Sequence, residues 1–263
     1  MAGLDLRPPE IGTRKRFGQH FLADEGILAE LVACIAPQPG EIIVEIGPGR
    51  GALTFRLLAQ GATVHAIEID RDLVAAFRRS SAHGERLIIH EADALKFDYD
   101  SLSHTGKPLR IVGNLPYNIS TPLMLGLLQR GSQIGTMCFM LQKEVAERLV
   151  AAPGCAAYGR LSVMTQAYCQ ASIVLDVPPT AFIPPPRVDS SVIVLHPRGD
   201  IPCRFKDLES VVANTFAHRR KMLRHTLGKH FSAETLATLQ IALTDRPENV
   251  SVAQYVALAN LAR

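Results

Sequence analysis

Through most of the chain, short runs of β-branched and aliphatic residues alternate with stretches whose apolar positions recur every three or four residues. EIIVEIG (41–47), TVHAIEID (63–70), RLIIHEAD (86–93) and LRIVGN (109–114) are the runs, and ALTFRLLAQ and RDLVAAFRR are among the stretches between them. The first kind predicts strands and the second amphipathic helices, so the order is that of successive βαβ units around a parallel sheet. GTMCFML (135–141) predicts a fifth strand with a helix over KEVAERLVA after it. ASIVLDV and SSVIVLH predict two later strands around the proline-rich PPTAFIPPPRVD. The expected fold is α/β: a seven-stranded, mostly parallel sheet with helices on both faces.

From Phe205 onward the pattern turns helical in short pieces: FKDLESVVANTF, HRRKMLRHTLGK, SAETLATLQIAL and SVAQYVALANLA. Ser232 and Ser251 each precede an apolar periodic run and are expected as N-caps, with Glu234 in the first turn after Ser232. This predicts a main domain over residues 1–200 and a small all-α domain over 201–263.

Composition narrows the class. The 263 residues are 47% hydrophobic and 20% charged, without low-complexity tracts, as expected of a soluble globular protein. Net charge is only +3, yet residues 214–231 carry Arg219, Arg220, Lys221, Arg224 and Lys229 with no acid, and Arg14, Lys15 and Arg16 form a second basic group. Either patch can be a solvated face or a contact for a polyanion. The five cysteines show no CxxC pairing, which argues against a disulfide framework or a zinc site and for a reducing compartment. No apolar stretch reaches the length of a membrane span, so the expected location is cytoplasmic.

VEIGPGRGALT places Gly47, Gly49 and Gly51 between a predicted strand and a predicted helix, where glycine lets the backbone turn sharply and approach a ligand. The spacing is GxGxG rather than the dinucleotide GxGxxG, and no Walker lysine follows. Glu68 ends the second strand, at the distance where an acid accepts from ribose hydroxyls, and Asp93 ends the third, where it could accept from an adenine amine; Asp70 points elsewhere. Any one such acid can equally be a loop charge or a helix cap. Three successive strand ends of this kind point to an adenosine cofactor at the carboxyl edge of the sheet, with S-adenosylmethionine leading.

The fourth strand runs into GNLPYNIS (113–120). One reading is a turn into a helix started at Ser120-Thr121-Pro122. The stretch also resembles the Asn-x-Pro-Tyr signature of methyltransferases that act on amine nitrogens of bases. That resemblance implies acceptors at the Asn114 side-chain oxygen and at the Leu115 or Pro116 carbonyl, with Tyr117 stacked on the base. Together with RFGQHFL, EIGPGRGALT, EID, MLQKEVAERL, YGRLSV, FIPPPRVDSSV and FAHRRKMLRHTL, it resembles the ribosomal RNA adenine dimethyltransferases over residues 14–260 or so, most closely their bacterial small-subunit branch.

The resemblance implies a Rossmann-like class I methyltransferase that converts two adjacent adenosines of the 3′-terminal hairpin loop of 16S rRNA to N6,N6-dimethyladenosine within an immature 30S subunit. It implies a S-adenosylmethionine pocket at His20, Leu22, Gly47, Gly49, Glu68, Asp93 and Asn114, with His20 standing where many relatives have Asn. It implies that Phe182 covers the target base opposite Tyr117, and that Arg14, Lys15, Arg16, Arg219, Arg220, Lys221 and Arg224 meet RNA. A monomer is expected. Two alternatives stay open: a dimethyltransferase of large-subunit 23S rRNA, and a non-catalytic assembly or transcription factor of the same fold.

Overall fold

The computed structural model describes residues 20–79, 81–102, 106–200 and 202–262, with the side chains of 81–83 left aside. The chain divides into two compact units. The first runs to Ala146 and resumes over Ser172–His196; the second is Glu147–Ala171 with the chain from Pro197 onward.

In the first unit a seven-stranded sheet is built from β2 (Ile42–Ile46), β3 (Thr63–Glu68), β4 (Leu87–Glu91), β5 (Leu109–Asn114), β6 (Ile134–Gln142), β7 (Cys169–Val177) and β9 (Ser190–Pro197), in the order β4-β3-β2-β5-β6-β9-β7. β2 is parallel to both β3 and β5, β3 to β4, and β5 to β6; β9 returns antiparallel to β6. Consecutive residues of β2 (Ile43, Val44, Glu45, Ile46) are buried, and so are those of β6 from Met137 to Leu141. Both faces are therefore covered at the centre of the sheet, which is why these strands read as apolar runs, whereas the edge strand β7 alternates with one face exposed.

Helices α1 (Glu25–Ile35), α2 (Ala52–Ala59), α3 (Arg71–Arg79) and α4 (Ser120–Gln129) belong to this unit. Asp24 caps α1 by accepting from the Ile27 amide. From β2 the chain builds outward to β3 and β4, then crosses to β5 on the other side. The reversal beside β2 leaves a crevice at the carboxyl ends of the strands, the usual ligand position in such sheets. A two-stranded ribbon not expected from the pattern, β1 (Phe21–Leu22) against β8 (Phe182–Ile183), pairs Phe21 with Ile183 and Leu22 with Phe182.

A boundary falls between His196 and Pro197, close to the expected one at residue 200, but the assignment of all of 1–200 to one domain needs a correction, because Glu147–Ala171 belongs with the C-terminal segment. The chain leaves the first unit within α5 (Lys143–Val150), and α6 (Arg160–Tyr168) packs on α7 (Phe205–Phe216) and α9 (Val252–Leu261). Tyr158 is wholly buried and donates its hydroxyl to the Val250 carbonyl at 2.9 Å, so 63 C-terminal residues alone would lack part of their own core. Ser232 and Ser251 cap α8 (Ala233–Thr238) and α9 as expected, accepting from the Thr235 and Gln254 amides. HRRKMLRHTLGK is not the expected helix: residues 217–220 turn, and only the short 3-10 pieces Leu223–His225 and Leu227–Lys229 follow. The backbone there bonds outward, with the Leu223 and Arg224 amides donating to the Asp245 and Leu243 carbonyls. No helix among the described residues is long and apolar enough to cross a membrane.

Candidate active site

A cleft of about 400 Å³ opens where the sequence placed it, lined by the glycine turn after β2, Glu68 at the end of β3, Asp93 just beyond β4 and Asn114 at the end of β5, with His20, Phe21 and Leu22 on its rim. Gly49 sits at φ +56, and a Cβ there would stand 3.0 Å from the Phe21 ring, so the turn can lie this close to the rim only with glycine.

Glu68 is buried, and its Oε1 accepts from the Ile69 and Asp70 amides, both at 2.9 Å. Burial pushes its carboxyl above the ordinary range, against the pull of these hydrogen bonds. Asp70 lies outside the cleft lining, and its Oδ1 accepts from the Asp72 amide. Asp93 Oδ1 accepts from the Leu95 amide at 2.9 Å. Two exposed aliphatic residues that the sequence reading passed over complete the lining, Ile69 at 52% and Leu95 at 44% exposure. Uncovered apolar side chains beside strand-end carboxylates make a slot for a flat ring with polar edges. Their signal was available: each follows a strand-end acid by one or two positions.

Glu45, also unanticipated, lines the same cleft from β2. It is 2% exposed, accepts from Thr54 Oγ1 at 2.6 Å, and is pushed up to about 7, chiefly by burial and in part by the charge of Glu68.

At the end of β5 the Asn114 Nδ2 donates to the His20 carbonyl at 3.1 Å, which turns its Oδ1 the other way. The Leu115 amide donates to the Met140 carbonyl, and the Pro116 carbonyl accepts from the Ile119 amide. Ser120 is therefore inside α4 rather than its cap: Ile119 holds the cap position, and the Ser120 hydroxyl donates back to the Tyr117 carbonyl at 3.2 Å. Tyr117 shares a hydrogen bond with Ser190 Oγ at 3.1 Å, and its ring faces the His20 imidazole at 5.9 Å between centroids and 28° between planes. His20 Nδ1 donates in turn to the Pro184 carbonyl at 2.8 Å, clamping the proline loop to the rim.

Phe182 does not take the expected place opposite Tyr117. It is 2% exposed and packs in the apolar core, because pairing with Leu22 turns it inward and strand alternation sends Ile183 out. Of the basic candidates, Arg14, Lys15 and Arg16 lie outside the described residues. Arg219 is engaged structurally, donating to the Ala156 carbonyl at 2.6 Å and lying 3.6 Å from the Glu248 carboxylate. Arg220, Lys221 and Arg224 are exposed in the second unit.

The model of the family described as ribosomal RNA adenine dimethylase matches residues 12–263. The chain is 51% identical over 254 residues to the ribosomal RNA small subunit methyltransferase A of Alcanivorax borkumensis, covering 95% of this chain and 90% of that one. It is 50% identical over 251 residues to the protein of the same name from Shewanella frigidimarina, covering 94% of each. Among solved structures, a dimethyladenosine transferase from Plasmodium falciparum superposes with a TM-score of 0.76 at 27% identity, covering 91% of this chain and 96% of that one. The 23S rRNA methyltransferase ErmE superposes at 0.70 and 23% identity, covering 91% and 98%, and shares the class I methyltransferase fold. With the family model matched over nearly its whole length and the site built at the carboxyl edge of a Rossmann-like sheet, the chain belongs to the ribosomal RNA adenine dimethylases.

Proposed function

We propose that this protein dimethylates the N6 amines of two adjacent adenosines in the 3′-terminal hairpin loop of 16S rRNA, acting on an immature 30S subunit in the cytoplasm as a monomer. The observation that carries the chemistry is the orientation of Asn114, whose amide nitrogen is committed to the His20 carbonyl so that its oxygen is left for a substrate N–H.

The donor is S-adenosylmethionine, and the cleft suits it on three counts: a glycine turn that no Cβ could share, buried Glu68 to accept from ribose hydroxyls, and the Ile69–Leu95 slot beside Asp93 for adenine. His20, Leu22, Gly47, Gly49 and Asn114 complete this pocket in our reading. Bound there, the donor supplies an electrophilic methyl group on a positively charged sulfur.

The protein's task is to orient the acceptor. An adenine amine is a poor nucleophile because its lone pair is delocalised into the ring. Two acceptors on its hydrogens favour the pyramidal geometry that frees the pair. Asn114 Oδ1 is one. The Pro116 carbonyl already accepts from the Ile119 amide, which favours the Leu115 carbonyl as the other. Tyr117 covers one face of the base, with its ring position held by Ser190. No strong base is needed, since the nitrogen becomes acidic only once methylated, and proximity with alignment is the main catalytic term.

The small-subunit target is preferred over 23S rRNA because relatives named for the small subunit are about half identical over the full chain, against 23% for ErmE. The intact Asn114-Leu115-Pro116-Tyr117 turn favours an enzyme over a non-catalytic factor. Mass spectrometry of rRNA from cells lacking the gene tests the assignment: the two 16S adenosines should be unmodified, and full methylation there would refute it.

A further inference from the structure

The second unit holds a cavity of its own, about 370 Å³, between α7 and the segment that follows it. On α7, Ser210 and Asn214 fall at i and i+4 on one wall, and His218, in the turn just past the helix end, extends that polar wall. Facing them are His225, Lys229 and His230, and Leu227 and Phe231 supply an apolar floor. Among the described residues, no Asp or Glu lines the cavity. Arg224 Nε can only donate, so its 3.1 Å contact with His225 makes that ring's Nε2 an acceptor and places the ring proton on Nδ1. The polar walls thus present a hydroxyl, an amide and imidazoles, each able to donate, and an ammonium that can only donate, beside the apolar Leu227 and Phe231.

A cavity that stays empty is typically lined by apolar groups. A donor-lined cavity with an ammonium at its edge and no acid is suited to an anion attached to a flat or apolar body. The volume lies at the small end of the roughly 300–1,000 Å³ range of ligand pockets, the size of one nucleotide.

We infer that this cavity grips a single nucleotide of the RNA substrate, with the phosphate on Lys229, His230 and His218, the base or ribose over Phe231 and Leu227, and Asn214 on a polar edge. The inference rests on the proposed function only for the source of the nucleotide, an RNA strand rather than a free mononucleotide. Such a contact adds a point of grip that fixes register, beyond the sequence-independent attraction of the exposed Arg220 and Lys221.

The test uses the full chain and the double variant Asn214→Leu/Lys229→Gln, whose wild-type side chains are exposed, so folding should be unaffected. Affinity for a protein-free 16S 3′-terminal fragment is measured by anisotropy at fixed salt, and affinity for AMP by calorimetry; RNA photocrosslinks are mapped by peptide mass spectrometry. Expected are a roughly tenfold loss of RNA affinity in the variant, unchanged S-adenosylmethionine binding and thermal midpoint, crosslinks within residues 225–231, and no saturable AMP binding below millimolar. Unchanged RNA affinity with no crosslink in that segment overturns the inference. Micromolar AMP binding that the variant loses overturns its RNA source. Methyl transfer by the wild type to unmethylated 30S particles is scored separately, so an inactive wild type would sink the proposed function while leaving the RNA comparison readable.

Discussion

The amide nitrogen of Asn114 donates to the backbone carbonyl of His20 at 3.1 Å, joining the end of β5 to a residue 94 positions earlier in the chain. In the proposed complex this one hydrogen bond decides which end of the amide meets substrate. Asn114→Ala should lower single-turnover methyl transfer to 30S particles by roughly 100- to 1,000-fold, the usual loss when one preorganised polar group at the reacting centre is removed. Affinity for the particle should stay within about twofold. Transfer that survives within a few fold would mean that the amine is activated by other groups.

Tyr117 separates ring from hydroxyl. The hydroxyl meets Ser190 Oγ at 3.1 Å, while the ring covers the base in the proposed complex. Tyr117→Phe should therefore keep activity within a few fold. Tyr117→Ala should lose about 1–3 kcal/mol of stacking, seen as a rise in KM for RNA together with a fall in kcat. Equal losses in the two variants would show that the ring contributes no platform and that the hydroxyl matters instead.

The central strands of the main sheet were legible because both their faces are buried, which turns each into an apolar run, and the edge strand β7 because its positions alternate between sheltered and exposed. The acids at Glu68 and Asp93 were legible for a related reason: parallel strands deliver their carboxyl ends to one edge. Three features were not. The β1–β8 ribbon is two residues long on each side, too short for any period, and it decides that Phe182 faces the core. The basic stretch 218–229 has helical composition, but its amides find partners around Leu243 and Asp245, a tertiary preference that outweighs propensity. The return of Glu147–Ala171 to the C-terminal unit depends on contacts such as Tyr158 with Val250, 92 positions apart, which local pattern cannot carry.

Gly113 immediately precedes Asn114 and lies against β2. A Cβ built there would stand 2.4 Å from the Ile46 carbonyl oxygen, a backbone atom that cannot rotate away. Gly113→Ala must therefore separate β5 from β2 just where both strands feed the cleft. The expected cost is about 1–3 kcal/mol of stability, from the denaturant midpoint at unchanged slope. S-adenosylmethionine affinity should fall as well. A variant as stable as the wild type would show that the two strands yield at this point without strain.

Glu45 supplies a pH signature that isolates one buried group. Its carboxyl is pushed from the ordinary 4.5 to about 7, first by burial and further by the charge of Glu68, against the Thr54 hydrogen bond that pulls it down. The folded chain thus holds this proton more tightly than the unfolded chain does. Between pH 4.5 and 7 the folded state carries the extra proton, so stability falls as pH rises through that window and stays at the lower level above 7. The shift corresponds to about 3 kcal/mol. Glu45→Gln keeps the shape and an acceptor for Thr54 but cannot ionise. Its stability relative to wild type should therefore climb by about 3 kcal/mol between pH 4 and pH 8, measured by urea unfolding at each pH, while groups common to both proteins cancel. A difference that stays flat across that range would mean that Glu45 titrates alike in both states, and that its carboxylate is tolerated in the folded protein.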